Sequence, residues 1–289
     1  MKKNRAFSLI ELSVVVLIIG ILVAGVTQGS RIIKQMRLLS ARSITNASPV
    51  NSIKDMIFWI ETSLESSLLE SEEEDNLDVS TWNDINNQSG YRNKGTSSGS
   101  QRPSFISDAF NSGIPGIRFK GTDDVMIFSS LGFSGQQLTY FVVARRIVAV
   151  ASSTVFSAVA PSATNDSDND ASLVGFFEGA SSNTLQPFRT NGKSSATHPG
   201  NLNAFIATSV FDGTNNTVYL NGVASTSVAS TGNFNINNLY VGCRYSAGAI
   251  SNCFNGDIAE IIIFSRALKT DERKSVETYL SKKYNIKIS

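Results

Sequence analysis

Residues 7–30 read FSLIELSVVVLIIGILVAGVTQGS, 24 positions that carry a single charge, Glu11. As a helix this stretch is about 36 Å long, against a bilayer hydrocarbon core of about 30 Å. Its Leu, Ile and Val residues fall on every side of such a helix, so it is not the one-striped helix of a globular surface. Only MKKNRA precedes it, with Lys2, Lys3 and Arg5. Beyond residue 43 the chain turns polar, rich in Gly and Ser, and strand-like. The sequence describes an apolar N-terminal rod carrying a separate head.

Three readings compete for the rod. A cleaved secretory signal has a shorter apolar core and a small-residue cleavage site after it, whereas this run flows unbroken into a second helical stretch. A plain membrane anchor tolerates Glu11 poorly, because a carboxylate at bilayer depth costs about 2.5 kcal/mol or more. The third reading rests on residues 5–12, RAFSLIEL, followed by VVVLIIGILVAG at 14–25. These stretches resemble the N terminus of type IV prepilins and pseudopilins. The resemblance implies cleavage by a prepilin peptidase between Ala6 and Phe7 and N-methylation of the new N-terminal Phe7. It places the family's acidic assembly residue on Glu11 and its helix glycine on Gly20. Ala6 replaces the commoner Gly before the cut. Gln28 stands where many major pilins carry a helix-breaking Pro, which fits a minor pilin or pseudopilin better than a bulk subunit.

In a bundle of rods Glu11 is surrounded by apolar side chains and needs a partner. The resemblance implies that this partner is the Phe7 amine of a neighbouring subunit. The alternative is a carboxylate reaching to the membrane face.

The formal net charge of +1 hides an asymmetry. Residues 1–46 hold seven Lys/Arg against Glu11 alone (7 − 1 = +6), and the remainder holds 18 basic and 23 acidic residues (18 − 23 = −5). Lys2, Lys3 and Arg5 keep the N terminus cytoplasmic by the positive-inside rule, which puts the head outside. Arg31, Lys34, Arg37 and Arg42 oppose that simple count, and a rod that ends inside a filament resolves it. A mildly acidic head leaves no footprint for nucleic acid.

Residues 31–44, RIIKQMRLLSARSI, continue the helix, with Ile32, Ile33, Met36, Leu39 and Ile44 towards one side. In a pilin this apolar side packs onto the head. Residues 46–53 read as a linker, punctuated by Thr45, Asn46, Ser48 and Pro49. Next come an apolar strand-like run, Met56–Ile60, and an acidic run, Glu70–Asp75, which reads as a metal loop or a solvated turn.

Short apolar runs then recur between Gly, Ser, Asn and Asp clusters, among them 115–119, 125–128, 138–150, 153–159, 173–177, 204–211, 217–220, 239–242 and 257–264. This rhythm predicts an all-β sandwich. Asn221-Gly222 predicts a type I′ hairpin turn. Val276, Tyr279, Leu280 and Tyr284 recur at helical spacing, which predicts a closing helix over 270–284.

Stretches at 56–62 (MIFWIET), 80–84 (STWND), 116–124 (GIRFKGTDD), 218–223 (VYLNGV), 256–268 (GDIAEIIIFSRAL) and 279–284 (YLSKKY) resemble concanavalin A-like/laminin-G-like domains. The resemblance implies a jelly-roll antiparallel sandwich over residues 54–289. The organisation expected is a leader at 1–6, a membrane and assembly helix at 7–45, the linker at 46–53, and that head. Trp59 and Trp82 are then core residues or sugar-stacking platforms.

Chemistry is sparse. Glycosidases on this fold need two carboxylates across one cleft. Asp257 and Glu260, three apart on a strand, point to opposite faces unless a bulge intervenes. Asp123-Asp124 are adjacent and fail likewise, and His198 is the sole histidine. Asp166, Asp168 and Asp170 form a Ca²⁺ candidate or an exposed acidic loop, without the glycine and distal Glu of an EF-hand. No other cofactor is expected. Cys243 and Cys253, in an exported chain, suggest a disulfide, with free thiols as the alternative.

The expectation is a non-enzymatic pilin-like filament subunit with a lectin-like head for adhesion or glycan capture. It has prepilin peptidase and other pilins as partners. It starts in the inner membrane and ends in an extracellular pilus or periplasmic pseudopilus. The rival is a structural subunit that binds nothing.

Overall fold

A computed structural model describes residues 9–88, 92–166, 176–178, 184–187 and 194–289 of the chain. The rod is one unbroken helix, α1 (Leu9–Asn46), of 38 residues and about 57 Å. Gln28 lies within it without a kink-forming proline. A short 3₁₀ turn at Pro49–Ser52 follows, and it buries Val50 against the head.

The head is an antiparallel sandwich. Its larger sheet runs, from edge to edge, Val223–Ala224, Asn215–Leu220, Ala204–Phe211, Leu138–Arg146, Asn255–Phe264, Ile114–Lys120 and Ser104–Phe110. The long Asn255–Phe264 strand serves two neighbours on one side. Its first half pairs Ile114–Lys120 and its second half pairs Met56–Glu61. The smaller sheet runs Thr81–Asn83, Lys94–Thr96, Met126–Phe128, Asn238–Val241 and Phe156–Val159.

Strand alternation explains the layers. Leu138, Tyr140, Val142 and Ala144 point into the core between the sheets, while Phe141 and Val143 point to the other side. That other side is covered by the end of α1 and by α2 (Thr270–Tyr284), whose Val276, Tyr279, Leu280 and Tyr284 are buried there. The larger sheet is therefore buried on both faces, and its central strands read as continuous apolar runs. Phe58 and Phe128 close the inter-sheet core edge to face at 4.8 Å.

The expected sandwich and closing helix are present. Asn221 (φ 48°) and Gly222 (φ 82°) make the I′ turn, with Leu220 opposite Val223. The 138–150 run leaves the sheet after Arg146, because its neighbour strand starts at Asn255 and the Ile147 amide donates to that residue's carbonyl. Trp59 and Trp82 are both buried core residues.

Candidate functional site: the bare rod and its anchorage

From Leu9 to Val26 the apolar side chains of α1 are exposed on every side. The helix is long and apolar enough to cross a membrane. Glu11 lies exposed in the first turn described. Ala6 and Phe7 lie outside the described residues.

The lower half of α1 corrects the sequence reading. Of the apolar side only Ile44 packs onto the head: Ile32, Ile33, Met36 and Leu39 stay 50, 51, 64 and 61% exposed. The polar side docks instead. Lys34 pairs with Asp108 at 2.7 Å. Arg37 Nη1 donates to the carbonyls of Asn111 (2.8 Å) and Ser112 (3.0 Å). Arg42 Nε donates to the Ser63 carbonyl at 2.7 Å, and its Nη1 pairs with Glu65 at 2.6 Å. Ala41 and Thr45 complete the contact and are buried. The close fit at Gly113 (φ 145°), whose Cβ would come within 3.0 Å of the Lys34 backbone, permits this approach. The basic residues that oppose the positive-inside count thus serve largely as docking groups.

Below the docked helix lies an ionic cluster that the sequence did not announce. Lys283 Nζ, wholly buried on α2, donates to Glu61 at 2.8 Å and to Glu260 at 2.9 Å. Glu260 also accepts from Trp59 Nε1 (2.7 Å) and from the hydroxyls of Tyr279 and Tyr284 (2.8 Å each). Glu61 accepts from the hydroxyls of Ser63 and Ser67 and from the Leu64 amide. Burial alone would raise the Glu61 carboxyl. The Lys283 charge and the hydrogen bonds from Lys283, Ser63 and Ser67 overcome that and hold it at about 2. Burial would likewise lower Lys283, but Glu260 and Glu61 raise it above its ordinary value. Lys283, Glu61 and Glu260 are buried and hydrogen-bonded to one another and to their neighbours, so the cluster fastens α2 to the sheet. A usable signal was present: a charge beside or inside an apolar run, as at Glu61 and Glu260, must find a partner.

Asp257 and Glu260 meet the exception that the sequence reading left open. A bulge between Ile258 and Glu260 intervenes in the pairing with Leu138–Arg146. Both carboxylates therefore lie on the α2 side. Asp257 is held by Arg118 (2.8 Å) and Arg145 (2.5 Å), and the Arg145 guanidinium stacks on Phe110, which meets Tyr284. Each carboxylate is buried with its own cation, so they do not form an open acid–base pair. Asp123 accepts from Ser100, and Asp124 is buried against the Lys120 amide.

Asp166 is buried and accepts from Arg244 Nε at 2.8 Å. Asp168 and Asp170 lie outside the described residues. In the acidic run, Glu72 accepts from Ser80 and Asp75 from Ser107. Among the described residues no three carboxylate, His or Cys groups converge as a metal site.

Cys243 and Cys253 are joined, closing a ten-residue separation around the Arg244–Ser246/Ala249–Ser251 hairpin. Replacing both with Ala is expected to lower the unfolding free energy by about 2–3 kcal/mol through loop entropy. Urea denaturation measures this, and an unchanged midpoint would mean the hairpin is held by its sheet contacts alone.

Two open hollows mark the head surface. One, of about 600 Å³, is lined by Ala196, Thr197, Leu220, Val223 and Ser225 among others and carries no aromatic side chain among the described residues. The other, of about 440 Å³, lies beside the end of α2 and gathers Asn111, Arg145, Asn203, Asn285 and Lys287 over Tyr284.

Residues 1–27 match the prokaryotic N-terminal methylation motif. No curated protein sequence matches the chain. Three solved structures are similar in fold. The first is Trypanosoma rangeli sialidase in complex with sialic acid (13% identity, TM-score 0.51), with 80% of this chain and 33% of that chain covered. The second is the botulinum neurotoxin serotype D binding domain (10% identity, TM-score 0.53), with 80% and 52% covered. The third is domain 4 of AbnA, a GH43 extracellular arabinanase from Geobacillus stearothermophilus, in complex with arabinotriose (14% identity, TM-score 0.52), with 80% and 98% covered. The chain spans about a third of the length of the sialidase. These likenesses concern the fold alone. The motif and the bare helix together fit a pilin-like, membrane-anchored precursor with a β-sandwich head, and the motif implies processing by a prepilin peptidase and assembly with other pilin subunits.

Proposed function

We propose that the protein is a low-abundance subunit of a type IV pilus or a secretion pseudopilus, and that its head captures a glycan or surface polymer without turning it over. The rod starts in the inner membrane and moves into the filament, and the head is carried outward. The observation that carries the reading is the unbroken apolar α1, bare from Leu9 to Val26 and fastened to the head only by its lower, polar side. A helix built this way can lie in lipid or against other helices, and the motif at residues 1–27 favours passage from one to the other.

Capture is supported by fold analogy, since the arabinanase domain and the sialidase of similar fold hold arabinotriose and sialic acid. The amide-rich hollow at Asn111, Asn203 and Asn285 supplies the hydrogen-bonding groups that a saccharide needs. The absence of turnover is supported by Asp257 and Glu260, which are buried and separately neutralised.

A structural subunit that binds nothing is favoured by a specific observation of its own. Both tryptophans are core residues, so neither offers a sugar-stacking face. The two readings separate in one experiment. Full-length protein in detergent is applied to a glycan and polysaccharide panel, with calcium and then with chelator. Saturable binding is the expected result, and its loss in chelator would point to Asp166, Asp168 and Asp170. A folded protein that binds nothing in either condition is the structural subunit.

A further inference from the structure

The hollow beside the end of α2 is positively charged on a head that is acidic as a whole. Among the described residues that line it, Arg145 and Lys287 carry charge and none is a carboxylate. Beyond residue 46 the chain holds 18 basic and 23 acidic residues. Lys287 is exposed, and Arg145 keeps 22% of its side chain open to solvent. The carboxylate behind Arg145 is Asp257, which also holds Arg118. Two guanidiniums therefore share one negative charge, and one positive charge is left over. Arg37 adds to the field from the rod, because its guanidinium sits on the carbonyls of Asn111, a lining residue, and Ser112.

The neutral groups lean the same way. Asn221 Oδ1 accepts from the Ile206 amide, which leaves its Nδ2 to donate. Asn203 is steadied by its bond to the Pro199 carbonyl. Tyr284 spends its hydroxyl on Glu260, so it and Phe110 present ring surface to the hollow. Arg145 is held in place by Asp257 and by the Phe110 ring, so little ordering is left for a ligand to impose. Positive charge and hydrogen-bond donors over an aromatic floor suit a carboxylate with a sugar ring attached, since charge-assisted hydrogen bonds are roughly twice as strong as neutral ones. The larger hollow shares Asn221 and Lys287 with this one, so a chain seated here has an open path onward.

We propose that this hollow binds an acidic polysaccharide through the carboxylate of a uronate residue. Arg145 and Lys287 hold the carboxylate, Asn203 and Asn221 meet the ring hydroxyls, and the polymer runs on past Lys287 into the larger hollow. The proposal rests on the reading of the head as a capture module. It adds the charge class of the ligand and the residues that select it, and it assigns recognition to cations of the chain, so binding persists in chelator.

The test uses the full chain in detergent, with chelator present throughout. The probes are immobilised polygalacturonate, the same polymer methyl-esterified, neutral dextran, and dextran sulfate of matched charge density. Saturable binding to polygalacturonate, with little to the ester or to dextran, is the expected result. Lys287→Glu should raise the Kd at least about tenfold, because a like charge then faces the carboxylate. Lys94→Glu makes the same change in net charge on the smaller sheet, at an exposed position, and should stay within about twofold. Asn203→Ala should weaken binding about threefold, the loss of one hydrogen bond. Three outcomes overturn the proposal while leaving the capture reading intact. One is native-strength binding by Lys287→Glu, which would put the polymer on the basic residues of the rod. The second is equal binding of dextran sulfate with equal sensitivity to Lys94→Glu, which is cation exchange without a site. The third is binding of the ester or of dextran as strong as that of the free acid. A folded chain that binds none of the four polymers, nor any member of the wider glycan panel, overturns both readings.

Discussion

Lys283→Met is expected to destabilise the head by about 3–5 kcal/mol, the usual consequence of removing one partner of a buried ion cluster. The cation is wholly buried between Glu61 and Glu260. Without it two carboxylates face each other with no compensating charge. Methionine is close to lysine in volume, so packing around Tyr279 and Tyr284 is largely kept, and the loss reports electrostatics. Urea unfolding of the full chain in detergent measures it. The triple variant Lys283→Met, Glu61→Gln, Glu260→Gln is expected to recover much of the loss, because no charge is then left buried.

The pH dependence gives this prediction a second, signed readout. In the native protein Glu61 is held at about 2, below its ordinary 4.5. Its contribution is present above pH 4.5 and is lost as the pH falls towards 2. Lys283 is raised above 10.5, so its contribution is present below that value and is lost as the pH rises beyond it. In Lys283→Met the lowering influence on Glu61 is gone and burial dominates, which pushes the carboxyl above its ordinary value. Relative to the native protein, in which the Glu61 contribution does not change between pH 7 and 5, the variant should therefore gain stability on acidification over that range. A variant with the native midpoint and the native pH profile would mean the cluster contributes nothing to the fastening of α2.

The rod, the strand rhythm, the I′ turn and α2 were legible because each is a local pattern: composition for Phe7–Ser30, period 2 or continuous apolar runs for the strands, period 3.6 for Val276–Tyr284. What was not legible depends on which surfaces meet. Ile32, Ile33, Met36 and Leu39 mark an apolar side of α1, and a stripe alone does not say whether it faces a head or a neighbour. The Asp108, Asn111 and Ser63 groups that select the polar side are remote in sequence. Glu61 and Lys283 are 222 residues apart, and neither MIFWIET nor YLSKKY names the other. The bulge beside Glu260 escapes for a different reason: one extra residue in a strand leaves no mark on an already continuous apolar run. The assembly residue is the reverse case. Glu11 was found from a motif, and the structure adds only where it stands, exposed in the first turn described.

Glu11→Ala is expected to leave the chain inserted and processed at Ala6–Phe7 but to remove it from filaments, with content falling more than about a hundredfold. Two free-energy differences act in the same direction. In the bilayer the carboxylate is a burden, with about 2.5–3.5 kcal/mol at a helix centre as the upper bound for Glu11 near the helix start, so alanine makes the unassembled state more favourable. In the filament an amine of a neighbouring Phe7 would lose its counter-charge inside an apolar bundle, at about 3–5 kcal/mol for a pair broken on one side. Together they shift the partition between membrane and filament by much more than a surface substitution would. Glu11→Gln separates the two contributions. It removes the charge but keeps an acceptor, so it should assemble better than Glu11→Ala and worse than the native chain. Leader removal, read by mass of the membrane-bound protein, controls for processing. If Glu11→Ala enters filaments at the native level, the carboxylate is a membrane-face group and not the assembly residue that the motif implies.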